Sequence, residues 1–337
     1  MKNVLKILAS IGLAVGIAVE SAADNADVSG ELIIFHAGSL AVPFKIIATA
    51  FSSEYPGVRV VCEAAGSRAC ARKISDLKRL CDVMASADYT VIDTLLIPKY
   101  ATWNIKFAAN EMVIVYDDNS RKHDEITSAN WHEILLRSDV AFGRSDPNAD
   151  PCGYRAVLAI KLAEKYYGKP GLANKLLKKD IRYIRPKETD LLALLQIREI
   201  DYIFLYCSVA GQHGLKYVVL PDEVNLKNPA FADVYKSVFV DISGKQPGTF
   251  ITKQGGPMIY GVTIPKNAPN PRAALAFLEF LLKNDKGMAI MEQCGQQSVV
   301  PAPSKTYENI PDALRRFAKQ ADGHESAAKK EGNCNSE

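Results

Sequence analysis

The 337-residue chain has almost no excess charge of either sign and, after its first residues, no hydrophobic run of membrane-spanning length. Lysine and arginine total 41 and aspartate and glutamate 38, so the formal net charge is only +3. A nucleic-acid-binding protein usually carries a concentrated basic excess, so we expect no nucleic-acid partner. No later stretch reaches the roughly 18 apolar residues typical of a transmembrane helix, so no membrane span is predicted. Any function must therefore depend on local arrangements of side chains.

Closely spaced cysteine pairs are also missing. The seven cysteines include no C-x-x-C pair, which disfavours zinc sites and thioredoxin-type redox sites. Because the number is odd, at least one thiol of an exported chain stays unpaired unless it bonds to another chain. A disulfide among Cys62, Cys70 and Cys81 is one alternative, and free buried thiols that pack as small apolar side chains are the other.

The two ends of the chain differ in composition from the rest. Lys2 and Lys6 precede an apolar run over residues 7–19, and small residues follow at 21–23. This is the order of a secretory signal peptide, so residues 1–23 are predicted to be one and the protein to be secreted or extracytoplasmic. Residues 319–337 are polar and rich in small side chains, which predicts a disordered tail.

Short apolar runs alternate with helical patterns along most of the chain, which predicts an α/β fold. Strands are predicted at 31–36, 58–63, 82–86, 112–116, 140–143, 181–184, 202–206, 217–220, 237–241 and 258–264, and helices at 42–55, 68–79, 153–167, 190–198 and 271–282. Breaks in the pattern after residue 116 and before residue 255 predict two crossovers between two lobes. We expect lobe 1 to comprise 28–116 and 255–318, lobe 2 to comprise 117–254, and a ligand cleft to lie between them.

Turns that follow strands are the candidate ligand sites, because open α/β sheets bind ligands beyond the carboxyl ends of their strands. Gly38 and Ser39 follow the first predicted strand, and a second small–Gly–Ser turn ends at Ser67 after the next one. Backbone N–H groups and hydroxyls at two adjacent helix N-termini would form a cradle for an oxyanion. Either turn taken alone is explained equally well by a plain helix cap.

Two further turns contain carboxylates. Asp150 opens the predicted helix at 153–167, where an N-cap role explains it fully. Cys152 in the same turn is a candidate nucleophile, since a helix start lowers a thiol pKa, but no histidine lies in a recognisable catalytic signature. Glu188 precedes another predicted helix, which Thr189 or Asp190 could cap.

Together these turns resemble the extracytoplasmic molybdate/tungstate-binding proteins of ABC importers, of the archaeal WtpA type. The matching segments, in the family's order, are FHAGSLAVPF (35–44), AAGSRACARKISDL (64–77), MASADY (84–89), FAANEMVIVYDD (107–118), DPNADPCGYR (146–155), KETDLLA (187–193), DYIFLYCSVA (201–210) and YGVTIPKNAP (260–269). They cover most of residues 31–282, and DPCGYR together with KETDLL is the most specific part.

The resemblance implies a type II periplasmic binding protein fold, in which two α/β lobes close around an anion. It implies a monomer that is not an enzyme, carries no cofactor, binds tungstate or molybdate and delivers it to an ABC permease. The ligand contacts that it implies are Gly38, Ser39, Ser67, Asp150, Pro151, Cys152, Glu188 and Tyr206. In the family two carboxylates, here Asp150 and Glu188, bind the metal centre of the oxyanion itself.

Carboxylates beside a dianion are repulsive unless they bond directly to a hard hexavalent metal, which accepts oxygen donors. Four oxo groups and two carboxylate oxygens would give six-coordinate geometry, whereas the sulfur of sulfate is too small to expand in this way. The pair would thus select molybdate and tungstate over sulfate and phosphate.

The alternative functions are a binder of another small anion (sulfate, phosphate or a carboxylate), a secreted enzyme that uses Cys152, and an anion sensor.

Overall fold

The computed structural model describes residues 28–321, except residues 245 and 247. The predicted signal peptide lies outside the described residues, and so does the predicted tail from residue 322 onward. The tail prediction is wrong at its first two positions, because Lys319 and Gln320 pair with Pro303 and Ser304 in a short parallel ladder. Within the described part of the chain, no helix is both long enough and apolar enough to cross a membrane.

Strands and helices alternate along the described chain. The strands are β1 (Gly30–Ala37), β2 (Val58–Ala65), β3 (Val83–Ser86), β4 (Ile105–Ala109), β5 (Met112–Tyr116), β6 (Phe142–Ser145), β7 (Ile184–Arg185), β8 (Tyr202–Tyr206), β9 (Lys216–Val219), β10 (Phe239–Ser243), β11 (Phe250–Gln254), β12 (Ile259–Thr263), β13 (Gln297–Ser298), β14 (Ala302–Ser304) and β15 (Ala318–Gln320). The α-helices are α1 (Ala41–Glu54), α2 (Ser67–Ser75), α3 (Tyr89–Val91), α4 (Trp131–Leu136), α5 (Pro151–Tyr166), α6 (Leu172–Lys178), α7 (Asp190–Gln196), α8 (Cys207–Gln212), α9 (Asp222–Asn225), α10 (Ala232–Lys236), α11 (Pro271–Leu282), α12 (Gly287–Gln293) and α13 (Asp312–Arg315). Short 3₁₀-helices lie at Gly38–Leu40, Ile181–Tyr183, Pro229–Phe231 and Tyr307–Asn309, and a π-helix at Ile92–Leu96.

Two sheets form the centres of two lobes. The first sheet has six strands in the order β13-β4-β12-β3-β1-β2, with β1 parallel to β2 and β3, and β12 antiparallel to β3 and β4. The second has five strands in the order β7-β6-β8-β5-β9. We call the part around the first sheet lobe 1 and the part around the second lobe 2.

The predicted end of the first segment of lobe 1, at residue 116, does not match the sheets. Strand β5 has the predicted limits, but it pairs with β8 and β9 at the centre of the second sheet. Its core residues Val113, Ile114 and Val115 are fully buried, as expected for a strand whose two faces are both covered. The chain therefore changes lobes at Asn110 and Glu111, between β4 and β5. It returns to the first sheet with β12.

Other predicted elements also differ from the structure. The segment predicted as a strand at 181–184 is mostly the 3₁₀-helix, with only a two-residue strand after it. The strand predicted at 237–241 is β10, which pairs with β11 in a separate antiparallel hairpin rather than in the large sheet. The helices predicted at 42–55 and 271–282 are α1 and α11. Their aromatic faces meet in the core of lobe 1, where Phe51 packs edge-on against Phe277 at 5.3 Å.

The described cysteines are all free thiols. The alternative of a disulfide among Cys62, Cys70 and Cys81 is therefore wrong. Cys70 and Cys81 are buried in the apolar cluster behind β1 and α2, where burial raises the pKa of Cys70 to about 12. These thiols act as packing groups, as their small apolar character allows.

Candidate functional site

The two small–Gly–Ser turns lie side by side in lobe 1. Strands β1 and β2 run parallel and in register up to the pair Ala37 and Ala65, the last residue of each strand. Gly38 and Ser39 follow the first strand in a 3₁₀-turn, and Ser67 begins α2 after the second. Both serines are buried. The helix starts of lobe 1 thus bring two hydroxyls to one edge of the sheet.

Asp150 in lobe 2 is the N-cap of α5. This agrees with the interpretation of Asp150 as a helix cap, which the sequence had offered beside that of a ligand-binding residue. Its Oδ1 accepts a hydrogen bond from the N–H of Cys152 at 3.2 Å, and Pro151 is the first helical residue. Its Oδ2 accepts a second one from the N–H of Glu188 at 3.0 Å. The side chain therefore caps one helix and also holds the segment that leads into α7.

Glu188 places its carboxylate against lobe 1. The residue is 1% exposed. Neither carboxylate oxygen accepts a hydrogen bond of normal length and angle from the described residues, although the carboxyl group of Asp150 and the N–H of Ser39 lie near enough to interact with it. A Cβ atom on Gly38 would lie 3.0 Å from both of these oxygens, so only glycine leaves them this space. Of the two caps that the sequence left open, Thr189 occupies the N-cap position of α7, but its side chain makes no cap hydrogen bond within the described chain, and Asp190 is already helical.

The two carboxyl groups share one buried environment. Burial raises the pKa of Asp150, although hydrogen bonds to its carboxylate oppose the change. Burial and the neighbouring charge of Asp150 raise the pKa of Glu188 well above its ordinary value. Without a positive centre between them, the two groups therefore do not both ionise readily. The pair alone is too small for a protein cation site, and no group of three or more His, Cys, Asp or Glu residues that could hold a metal ion occurs in the described chain.

Cys152 has no features of a nucleophile. It is fully buried, and its thiol donates to the carbonyl oxygen of Phe204 at 3.6 Å. Burial and the nearby carboxylates of Asp150 and Glu188 raise its pKa well above the ordinary thiol value. A nucleophilic cysteine needs the opposite shift. The residue instead presents its backbone N–H at the start of α5, where Asp150 already accepts from it.

Tyr206 ends β8 in lobe 2, and its hydroxyl oxygen accepts from Arg155 Nη1 at 3.1 Å. Burial raises its pKa well above the ordinary value, so it stays a neutral hydroxyl. Arg155, one turn into α5, was missed from the sequence, although it is the last letter of the DPCGYR motif. Tyr260 on β12 was missed as well. Its ring centroid lies 6.4 Å from that of Tyr206, and its hydroxyl donates to Ser39 Oγ at 3.0 Å.

The lobes touch directly beside these groups. The N–H of Ala69 in α2 donates to the carbonyl oxygen of Ala149 at 3.2 Å, and Arg68 Nε donates to that of Asn148 at 3.0 Å. Gly66 is packed so closely that a Cβ on it would lie 2.5 Å from the same Ala149 oxygen. The conformation is therefore closed, with the turn before α5 seated on the start of α2.

A second contact between the lobes is ionic. Asp88 in lobe 1 accepts from the Tyr154 hydroxyl at 2.6 Å and pairs with Lys253 Nζ at 2.5 Å. Arg155 Nη1 donates to the carbonyl oxygen of Ala87 at 2.7 Å. Burial alone would raise the pKa of Asp88, but the charges of Lys253 and Arg155 outweigh it and hold the pKa far below its usual range.

Comparison with known proteins identifies the family of this chain. A family model described as bacterial extracellular solute-binding protein matches residues 32–296. The chain belongs to this family of extracellular solute-binding proteins. An uncharacterised solute-binding protein from Petrotoga mobilis is 54% identical to it over 87% of this chain and 91% of its own. The protein named molybdate/tungstate-binding protein WtpA from Pyrococcus abyssi is 41% identical over 94% and 98%. The resemblance found in the sequence motifs is thereby confirmed.

Solved structures confirm the fold of this family member. The periplasmic molybdate-binding protein of Azotobacter vinelandii aligns with a TM-score of 0.58 at 15% identity, covering 80% of this chain and 99% of that one. The sulfate-binding protein SubI of Mycobacterium tuberculosis aligns with a TM-score of 0.58 at 14% identity, covering 86% and 92%. The predicted two-lobe periplasmic binding protein fold is correct. At these identities the likeness concerns architecture alone.

Proposed function

We propose that this solute-binding protein captures tungstate or molybdate between its lobes outside the cytoplasmic membrane and delivers it to an ABC permease. In this proposal the groups that contact the anion are Gly38, Ser39, Ser67, Asp150, Pro151, Cys152, Glu188 and Tyr206. The observation that carries the proposal is the buried carboxyl group of Glu188, which accepts no hydrogen bond of normal geometry in the described chain and interacts with the buried carboxyl group of Asp150.

An ionised carboxylate without a compensating partner is costly in a buried site, so the raised pKa of Glu188 favours its neutral form in the ligand-free protein, and a positive centre would let it ionise. A hexavalent metal centre is such a partner, because hard metals prefer oxygen ligands. Asp150 and Glu188 would each supply one oxygen and raise the coordination number of molybdenum or tungsten from four to six. A phosphate or sulfate ion offers no such bond, and it would be repelled by whichever of the two carboxyl groups is ionised.

The other groups suit the oxo atoms of the anion. Ser39, Ser67 and Tyr206 carry neutral hydroxyls in one buried region, and the turns at Gly38 and before α5 lie at helix starts, where N–H groups favour anions. Arg155 adds a buried positive charge behind Tyr206. No bond-breaking chemistry is required of any of these residues.

Calorimetric titration with tungstate, molybdate and sulfate tests the proposal. We expect the first two to bind at low micromolar concentration or tighter, and sulfate to bind far more weakly. The double variant Asp150→Asn, Glu188→Gln should lose tungstate affinity and most of the discrimination against sulfate, since Asn keeps the helix cap while the coordinating charge is gone. Asp190→Asn, two residues from Glu188, is the matched control and should bind as the wild type does. Absence of heat with tungstate and molybdate would contradict the proposal.

Two alternatives are less well supported. A binder of sulfate, phosphate or a small carboxylate would share the fold but would gain nothing from the carboxylate pair, and the same titration distinguishes it. An enzyme based on Cys152 is disfavoured by the raised pKa and full burial of that thiol. Alkylation of the native protein should therefore leave tungstate binding unchanged.

A further inference from the structure

The hydroxyl of Ser39 is linked through Tyr260 to a side chain at the crossover between the lobes. Asn110 lies between β4, which ends at Ala109 in the first sheet, and β5, which starts at Met112 in the second. The side chains of Asn110, Tyr260 and Ser39 are all buried. They form one hydrogen-bonded chain, in the order Asn110, Tyr260, Ser39, from the crossover to the turn after β1.

The direction of these hydrogen bonds is fixed at Asn110. Its Oδ1 accepts from the N–H of Glu111 at 2.9 Å and of Ser208 at 3.3 Å. Its amide nitrogen therefore faces Ser208 Oγ at 2.6 Å and the Tyr260 hydroxyl at 3.0 Å. An amide nitrogen can only donate, so the Tyr260 oxygen must accept.

The same logic carries the direction on to Ser39. Tyr260 has a single hydroxyl proton, and it donates to Ser39 Oγ at 3.0 Å. Ser39 Oγ thus accepts, and its own proton remains to be donated to another group. Gln296 Nε2 donates to the backbone carbonyl oxygen of Ser39 at 2.9 Å, which fixes the turn that carries the hydroxyl.

The other two hydroxyls of the site are arranged alike. Ser67 Oγ accepts from the N–H of Ala87 at 2.9 Å, and the Tyr206 oxygen accepts from Arg155 Nη1 at 3.1 Å. The Ser67 and Tyr206 oxygens each accept from a group that can only donate. The Ser39 oxygen accepts from the Tyr260 hydroxyl, whose proton direction is fixed by Asn110. Each hydroxyl proton is therefore left for an acceptor.

We infer that Tyr260 is a positioning residue that holds the Ser39 hydroxyl as a hydrogen-bond donor toward the ligand, with Asn110 setting the direction. This deepens the proposed function, because it assumes that Ser39 contacts the anion. It also narrows the ligand class. Ser39, Ser67 and Tyr206 would offer donors and no acceptor, so they favour ligand oxygens that carry no proton, as in a fully deprotonated oxyanion.

A double-mutant cycle with Tyr260→Phe and Ser39→Ala tests the inference. In the wild-type background Tyr260→Phe should weaken tungstate binding roughly fivefold, the effect of one neutral hydrogen bond. In the Ser39→Ala background the same change should alter the affinity by less than about twofold, since Tyr260 acts only through Ser39. An equal loss in both backgrounds, or no loss in the first, would overturn it.

Controls separate this outcome from misfolding and from failure of the proposed function. Tyr235→Phe removes another buried hydroxyl, which is bonded to the Asp222 carbonyl oxygen and to the N–H of Asn228, and it should not change the affinity. If Tyr260→Phe does not fold, Asn110→Ala takes its place in the cycle with the same expectation. The wild-type titration decides the proposed function, and the cycle is then run with whichever of tungstate, molybdate and sulfate binds most tightly.

Discussion

The N–H of Glu188 donates to Asp150 Oδ2 at 3.0 Å, which joins the two carboxylate-bearing turns of lobe 2 directly. Asp150 also caps α5, so a single side chain orients that helix and the segment that carries the second carboxylate. Glu188 is then directed across the cleft toward Gly38 of lobe 1. This relationship gives the two turns a common geometry although they are far apart in sequence.

Replacing Glu188 by glutamine should stabilise the ligand-free protein at neutral and higher pH. The pKa of Glu188 is raised in the folded state, so the folded wild type binds more protons than the unfolded chain above the ordinary glutamate pKa. Its stability therefore falls as pH rises toward the folded-state pKa. Glutamine has no such dependence.

Melting temperatures measured without ligand from pH 4 to pH 8 check this prediction. Glu188→Gln should match the wild type at the acidic end and exceed it by at least about 2 °C at the basic end, which corresponds to about 1 kcal/mol in a protein of this size class. Asp190→Asn is the control and should show no such pH-dependent gain. A constant difference across the range would show that ionisation of Glu188 is not its cause.

Replacing Gly66 by alanine should prevent full closure without touching the ligand. The backbone at Gly66 has φ −58° and ψ 139°, which alanine adopts freely, so lobe 1 itself is not strained. In the closed form, however, the added methyl group would collide with the backbone oxygen of Ala149. We expect tungstate affinity to fall at least about tenfold with little change in the ligand-free melting temperature.

Gly211→Ala is the matched control for this substitution, since a Cβ there would have no atom of the described residues within 4 Å. Small-angle scattering with saturating tungstate provides a second readout. The Gly66 variant should remain more extended than the wild type. Unchanged affinity and unchanged compaction would contradict the closed arrangement of α2 and the turn before α5.

Replacing Asp88 by asparagine should weaken the closed state at the second, ionic contact between the lobes. Lys253 and Arg155 of lobe 2 would then face a neutral amide, and hydrogen bonds to charged groups are worth about 1.5–3 kcal/mol. Asparagine still caps α3. We expect tungstate to dissociate roughly tenfold faster or more, with a smaller effect on its association.

Stopped-flow measurement of both rate constants checks this expectation. Asp93→Asn is the control, because Asp93 accepts from Asn104 Nδ2 within lobe 1 and makes no hydrogen bond to lobe 2 among the residues that the structure describes. Dissociation as slow as in the wild type would mean that the ionic contact does not stabilise the closed form.

Local sequence signals predicted those elements whose burial alternates or runs continuously. The limits of β5, β8 and α11 agree with the structure, since each is a clear apolar run or a strongly amphipathic pattern. The sequence could not tell which sheet β5 joins, because that depends on strand pairing over long distances. For the same reason the sequence indicated that β10 continues the large sheet, whereas it pairs with β11 in a separate hairpin.

The candidate site was predictable where a turn motif follows a strand. Ser39, Ser67 and Asp150 were selected as candidates in this way, and the resemblance added Tyr206. Asn110 and Tyr260 were missed because no local pattern distinguishes them. They become neighbours only in the folded chain, where β12 returns from the second crossover and pairs with β4. This pairing places Tyr260 next to Asn110 and beside the turn after β1.

X-ray absorption at the tungsten edge of the protein–tungstate complex tests the central claim most directly. If Asp150 and Glu188 coordinate the metal, the spectrum will fit six oxygen neighbours, with two of them at longer distance than the four oxo groups. The double variant Asp150→Asn, Glu188→Gln, loaded at saturating tungstate, should return to four. Four equivalent oxygen neighbours in the wild-type complex would contradict coordination by the carboxylates.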